Sequence, residues 1–229
     1  MKIGGLHKVS LIDYPAKISA VVFTQGCNFR CSYCHNPELV DSRLFQPCLP
    51  ENDILDFLST RVGKLEGVTI TGGEPTLQEN LVPFIRRIRK LGFNVKLDTN
   101  GSNPDLLAEM IGEKLLDFVA MDIKAPLEKY SSVVHVPVKT DDIRRSIQRV
   151  IKSRVPHEFR TTVVASQLEP KDFLVISQEI KGAKRYVLQK YQPVKSLAGK
   201  FLRDRTYSDD ELISIAKKLE KNIPLIIVR

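Results

Sequence analysis

A chain of 229 residues is long enough to bury one full core and is expected to form a single domain spanning 1–229. A hydrophobic content of 42% and a charged content of 27% describe a globular protein, and no run of about 18 apolar residues marks a membrane span. The formal net charge of +8 is spread over helical stretches such as Arg86-Arg87-Ile88-Arg89-Lys90 and Lys217-Lys218, without interleaved aromatics or a nucleic-acid motif, so nucleic acid is not an expected partner.

The start, Met1 to Lys8, lacks the apolar centre of a signal peptide. Of the four cysteines three are clustered, which does not look like a disulfide framework and suits a reducing compartment. The cytoplasm is therefore expected.

In chain order, Val9 to Pro15 reads as an extended lead-in or short hairpin. Ile18 to Thr24 is short, apolar and β-branched, as a buried parallel strand should be. Gln25-Gly26 turns the chain into Cys27-Asn-Phe-Arg-Cys31-Ser-Tyr-Cys34-His-Asn-Pro, a C-x3-C-x2-C spacing. Residues 36–50 hold three prolines and little periodicity, and read as a loop containing only Cys48. From residue 51 helices and strands alternate. Ile54, Leu55, Leu58 and Val62 mark a helix, and Val68 to Thr71 the second core strand. Leu81, Phe84, Ile85, Ile88 and Leu91 recur at helical spacing, Gly92 ends that helix, and Phe93 to Asp98 is the third strand. Asn103-Pro104 starts a helix through Leu106, Leu107, Met110 and Ile111, before a strand from Phe118 to Ile123.

Thr140-Asp-Asp opens a helix with Ile143, Ile147, Val150 and Ile151, its first-turn acids matching the helix dipole. Phe159 to Ala165 is a fifth strand and Arg185 to Gln189 a sixth, with a helix through Phe173, Ile176 and Ile180 between them. Ser208-Asp-Asp-Glu211 matches a capping box ahead of Leu212, Ile215, Ala216 and Leu219, and Pro224 to Val228 is a last strand. Such alternation makes an α/β fold with a parallel sheet and right-handed crossovers. Pattern alone leaves a partial barrel and an open doubly wound sheet as equals.

Working residues in parallel α/β folds gather at the C-terminal ends of strands. The first strand here leads into the cysteine loop and the second into Gly72-Gly73-Glu74-Pro75. The third ends in Asp98-Thr99-Asn100-Gly101 and the fourth in Asp122-Ile123-Lys124. The fifth contains Arg160 to Val164, and the sixth runs into Gln189-Lys190-Tyr191-Gln192-Pro193. Polar clusters thus share one rim. Iron–sulfur clusters are held by cysteine thiolates, so three thiolates on a four-iron cubane leave one iron open to a small molecule. A structural zinc site needs four closed ligands, which only His35 and the remote Cys48 could complete. A zinc-binding interaction module remains the alternative from outside the enzyme class.

CNFRCSYCHNP resembles the cluster loop of the radical S-adenosylmethionine enzymes, in particular the activases of glycyl radical enzymes. The resemblance implies a partial (β/α)6 barrel of parallel strands with the cluster loop after the first core strand. It implies a [4Fe-4S] cluster on Cys27, Cys31 and Cys34, and S-adenosylmethionine on the open iron, with Tyr33 near the adenosyl moiety and His35 beside the ligand Cys34. GGEP resembles the motif that binds the cofactor's amino group, which implicates Gly72, Gly73, Glu74 and Pro75. Asp98, Thr99 and Asn100 with Asp122 and Lys124 match segments lining the cofactor site. Asp98, Thr99 and Asp122 also match positions that hold a monovalent cation in a relative, and Gln192 aligns near the ribose. The opening HKVSLIDYPAKISAVVFTQGCNFRCSYCHNPEL most resembles the activase branch for anaerobic ribonucleotide reductase. The implied partners are therefore that glycyl radical enzyme and a flavodoxin- or ferredoxin-type electron donor. Activation of another glycyl radical enzyme, or small-molecule chemistry of the deazaguanine-forming kind, is the alternative within the class.

Overall fold

A computed structural model describes residues 1–192 and 207–229. Its eight strands form one sheet in sequence order: β1 (Ile3–Ser10), β2 (Ser19–Thr24), β3 (Gly67–Gly72), β4 (Asn94–Thr99), β5 (Phe118–Asp122), β6 (His157–Val163), β7 (Tyr186–Lys190) and β8 (Ile226–Val228). Pairs from β2 to β8 are parallel, and β1 runs antiparallel to β2. The helices are α1 (Glu51–Ser59), α2 (Leu81–Lys90), α3 (Pro104–Gly112), α4 (Tyr130–Val134), α5 (Thr140–Lys152), α6 (Pro170–Glu179) and α7 (Asp209–Leu219).

The expected strands and long helices all form, with ends shifted by a few residues. Three features differ. The lead-in is a full strand beginning at Ile3, and it pairs with the first core strand itself through Ser10↔Ser19. Residues 36–50 are pinned by short 3-10 turns at Pro37–Leu39 and Ser42–Leu44 and by a bridge from Leu49 to Ile3. The short helix α4 carries no periodic signal of its own; buried Tyr130, Val133 and Val134 hold it against the core.

Strand side chains alternate with period two, so each strand here has a helix-facing set and an inner set. The helix-facing set is apolar: Ala20 and Val22, Val68 and Ile70, Val95 and Leu97, Val119 and Met121 all join the main core. The inner set changes character along the barrel. At the N-terminal end of the strands Tyr14 packs on Phe118 and Ala120, with ring centroids 6.1 Å apart for the two aromatics. Gly67 makes room, since a Cβ there would lie 2.9 Å from the Tyr14 ring. Towards the C-terminal ends the inner residues are Thr71, Asp98, Asp122, Arg160 and Thr162, and they line a cavity. The cation and acid interior is therefore a property of strand parity, not of loops.

Candidate active site

The cysteine loop follows β2 and is tied down on several sides. Gly26 N–H donates to Leu39 O at 2.8 Å and Arg30 N–H to Val134 O at 2.9 Å. Asn100 Nδ2 donates to Asn28 Oδ1 at 2.9 Å, and Gln167 Nε2 to Ser32 Oγ at 2.8 Å. Cys31 is buried and Cys27 and Cys34 are half-buried. All three face one cavity of about 370 Å³, whereas exposed Cys48 does not line it. Burial pushes the Cys27 thiol up to about 12, against a lowering hydrogen bond from Phe29 N–H. Burial raises Cys31 and Cys34 as well. Metal binding would displace those protons, because the thiolate is the ligand.

Tyr33, buried, and His35 stand on the same wall. The His35 ring stacks on Tyr191 at 5.5 Å and its Nε2 lies 3.2 Å from Gln192 O. Burial holds His35 below the usual histidine range despite that contact. Gln192 itself is exposed and, among the described residues, meets His35 through its carbonyl, while Gln189 is on the cavity wall. Of the same run, Pro193 lies outside the described residues.

Gly72 ends β3 and Gly73 follows it where the chain must cross the start of the cysteine loop. Gly73 N–H donates to Thr24 O and Glu74 N–H to Gly26 O, both at 2.8 Å. A Cβ on Gly73 would lie 2.1 Å from Gly26 O, and Gly72 adopts a φ of +113° with its Cβ position 2.4 Å from Thr24 N. Only glycine permits this backbone approach. Glu74 is buried and accepts from Thr76 N–H at 3.1 Å, Thr99 Oγ1 at 2.7 Å and Asn100 N–H at 2.6 Å. Burial raises its carboxyl and these donors oppose the shift. Glu74 thus joins the β3 and β4 rims, while buried Pro75 begins a 3-10 turn.

The remaining rim residues form a charged cluster. Lys124 Nζ donates to Asp122 Oδ2 at 3.0 Å. Arg160 Nε donates to Asp122 Oδ1 at 2.8 Å and its NH1 to Asp98 Oδ2 at 3.0 Å. Lys96 Nζ donates to Asp98 Oδ1. Burial alone would raise Asp122, but Arg160 and Lys124 hold it down at about 2. Asp98 is lowered in the same way by Arg160 and Lys96. Burial disfavours the Lys124 charge, yet the adjoining Asp122 outweighs it and the ammonium stays charged.

Three buried-to-half-buried thiols at C-x3-C-x2-C spacing thus share a cavity with an acid–base cluster raised on three parallel strands. The Radical SAM superfamily profile matches residues 21–170. The chain belongs to the radical SAM superfamily. A Methanocaldococcus jannaschii relative, named as a putative glycyl-radical enzyme activating enzyme, is 35% identical over 234 residues, covering 99% of this chain and 95% of that protein. The pyruvate formate-lyase-activating enzyme of Clostridium pasteurianum is 29% identical over 207 residues, with 83% of each chain covered. These relatives place the chain in the activase branch. The solved domain of a pyruvate-formate lyase-activating enzyme from Bacteroides vulgatus shares the fold, with a TM-score of 0.58 at 18% identity over 72% of this chain and 99% of that one.

Radical SAM membership implies a [4Fe-4S] cluster and S-adenosylmethionine. The donor set fits them: three thiols on one loop facing one cavity, with cationic and anionic side chains opposite. A monovalent cation at Asp98, Thr99 and Asp122 does not fit. Every oxygen of the two carboxylates already meets a cationic N–H, and the Thr99 hydroxyl oxygen accepts from Gly101 N–H at 3.1 Å. Among the described residues no three His, Cys, Asp or Glu side chains are grouped to hold a single metal ion.

Asp13, Phe29 and Lys96 escaped the sequence reading as wall or cluster residues, while Arg160, Thr162 and Gln189 were placed on the rim without a role. A signal for two of them existed. Lys96 and Arg160 each place a cation inside a core strand, and each shares its face with a carboxylate two residues away, Asp98 and Glu158.

Proposed function

We propose that this protein is an activating enzyme that generates a glycyl radical on a partner, of the anaerobic ribonucleotide reductase type. The observation that carries the reading is the convergence of the three loop cysteines and the Asp98–Asp122–Lys124–Arg160 cluster on one cavity. A reduced [4Fe-4S] cluster held there would supply the electron for cleavage of S-adenosylmethionine to methionine and a 5′-deoxyadenosyl radical, which would take a hydrogen atom from a backbone glycine and leave as 5′-deoxyadenosine. Cys27, Cys31 and Cys34 are the residues that hold the cluster. Gly72, Gly73 and Glu74 form the wall next to it, with Tyr33 and His35 on the loop itself. Lys124 and Asp122 offer one charge of each sign to a cofactor that carries both. The half-buried setting keeps those groups in a medium poorer in water, where they act more strongly. An electron donor of the flavodoxin or ferredoxin type completes the system.

The test is anaerobic reconstitution with iron and sulfide, followed by dithionite and S-adenosylmethionine, with 5′-deoxyadenosine quantified. Addition of an anaerobic ribonucleotide reductase should give an organic radical signal by electron paramagnetic resonance that moves on deuteration of glycine. Cofactor cleavage without any protein radical would point to a small-molecule substrate. Absence of both, with zinc retained, would support the interaction module.

A further inference from the structure

Lys96 is the least expected residue of the barrel: an ammonium group in the middle of a core strand, its side chain 2% exposed. It lies opposite Thr69 of β3 and Phe118 of β5, on the inner face that also carries Asp98. Its partner is Asp98 Oδ1, while Arg160 spans Asp98 Oδ2 and Asp122 Oδ1, and Lys124 takes Asp122 Oδ2. Three cations thus stand against two carboxylates, an excess of one positive charge. Below them Glu158 is matched by Arg185 at 3.1 Å and Arg229 at 3.2 Å, so it does not cancel that excess.

A monovalent metal ion binds where oxygen donors present uncompensated negative charge. This cluster offers the reverse, in a setting shielded from water, where an added cation would be repelled. An ammonium is itself a compact point charge of +1 with several donors.

We propose that Lys96, assisted by Arg160, takes the place of a bound monovalent cation, so that Asp98 and Asp122 are charge-compensated covalently and no ion binds between them. Lys96 is a positioning residue: it fixes Asp98, and through Arg160 the orientation of Asp122 and Lys124 at the cavity wall. The geometry is set before the cofactor arrives and does not depend on the ions in the medium. The proposal rests on the reading of the cavity as an S-adenosylmethionine site.

The experiment uses the reconstituted holoenzyme under anaerobic conditions, as wild type, Lys96→Met, Lys96→Arg and Arg160→Gln. Thallium(I) binding is followed by thallium NMR. The dissociation constant for S-adenosylmethionine is measured in potassium chloride and in choline chloride at equal ionic strength. Wild type and Lys96→Arg should bind no thallium and show the same cofactor affinity in both salts. Lys96→Met removes the excess positive charge that repels an ion and leaves Asp98 Oδ1 without a cationic partner, so it should bind thallium and hold the cofactor about fivefold or more tighter in potassium, the lower range for coupled sites. A lysine serving only stability would weaken binding equally in both salts, which overturns the proposal. So does thallium bound to wild type and lost in Asp98→Asn. If Lys96→Met does not fold, Arg160→Gln must acquire the ion response instead, and an ion-indifferent Arg160→Gln then counts against the idea. Failure of every sample to bind the cofactor would refute the functional reading, while the thallium measurement still decides the ion question.

Discussion

Position in the fold separates three of the four cysteines from the fourth. Cys27, Cys31 and Cys34 line the cavity, and Cys48 sits exposed beyond it with its thiol 3.4 Å from Gln25 Oε1. Replacing any of the first three by Ala should abolish 5′-deoxyadenosine formation and lower iron content, whereas Cys48→Ala should retain both. Loss of the cluster in Cys48→Ala would disprove the three-ligand assignment. The acids make a second test. Asp122 is held at about 2, below the usual ~3.9 for aspartate, so its ionised form favours the folded chain. That stabilisation, on the order of 2 kcal/mol, is fully present above about pH 4 and is lost as pH falls from there toward about 2. Thermal melts across this window should fall more steeply for wild type than for Asp122→Asn. Equal slopes would show that the Arg160 and Lys124 contacts do not act in solution.

The elements depend on short, local devices. Ser208 N–H donates to Glu211 Oε2 at 2.8 Å and Glu211 N–H to Ser208 Oγ at 3.2 Å, the reciprocal box that starts α7. Ser208→Ala should cost ~1 kcal/mol by denaturant unfolding. The β3 terminus is more demanding. Alanine at 73 would drive its Cβ to 2.1 Å from Gly26 O, a backbone atom that can move only with the cysteine loop. Gly73→Ala should therefore cost about 1–3 kcal/mol and lower cluster occupancy as well, read as iron per chain after reconstitution. A variant with full iron content and unchanged stability would mean the crossing is looser than the hydrogen bonds indicate. The C-x3-C-x2-C spacing, the GGEP turn and the capping box were all legible in sequence because each is a local pattern. Their mutual dependence was not, since Gly73 meets Gly26 only after β2 and β3 pair as Thr24↔Gly72.

At the scale of the molecule, the barrel works as two half-interiors. One end is filled by Tyr14 against Phe118 and Ala120, and the other holds the charged cavity. The plug comes from the segment between β1 and β2, which folds across the N-terminal ends of the strands so that Asp13 O accepts from Thr69 Oγ1 at 3.4 Å. Tyr14→Ala should cost about 3 kcal/mol or more, the usual loss for a buried aromatic, measured by urea unfolding. Among the described residues no helix is long and apolar enough to cross a membrane.

The sequence by itself determined the alternation of strands and helices, the order of polar clusters along one rim and the cluster-binding spacing. These depend on periods of two and 3.6 and on neighbours a few residues apart. Only the tertiary structure decided which of those residues share a charge. Lys96, Asp98, Asp122 and Arg160 come from three different strands, and their pairing exists only once the sheet curls and its inner faces meet. The same folding removed the expected cation site and moved the glutamine on the wall from Gln192 to Gln189. Contacts between side chains far apart in sequence are fixed by register and curvature, which no local pattern encodes.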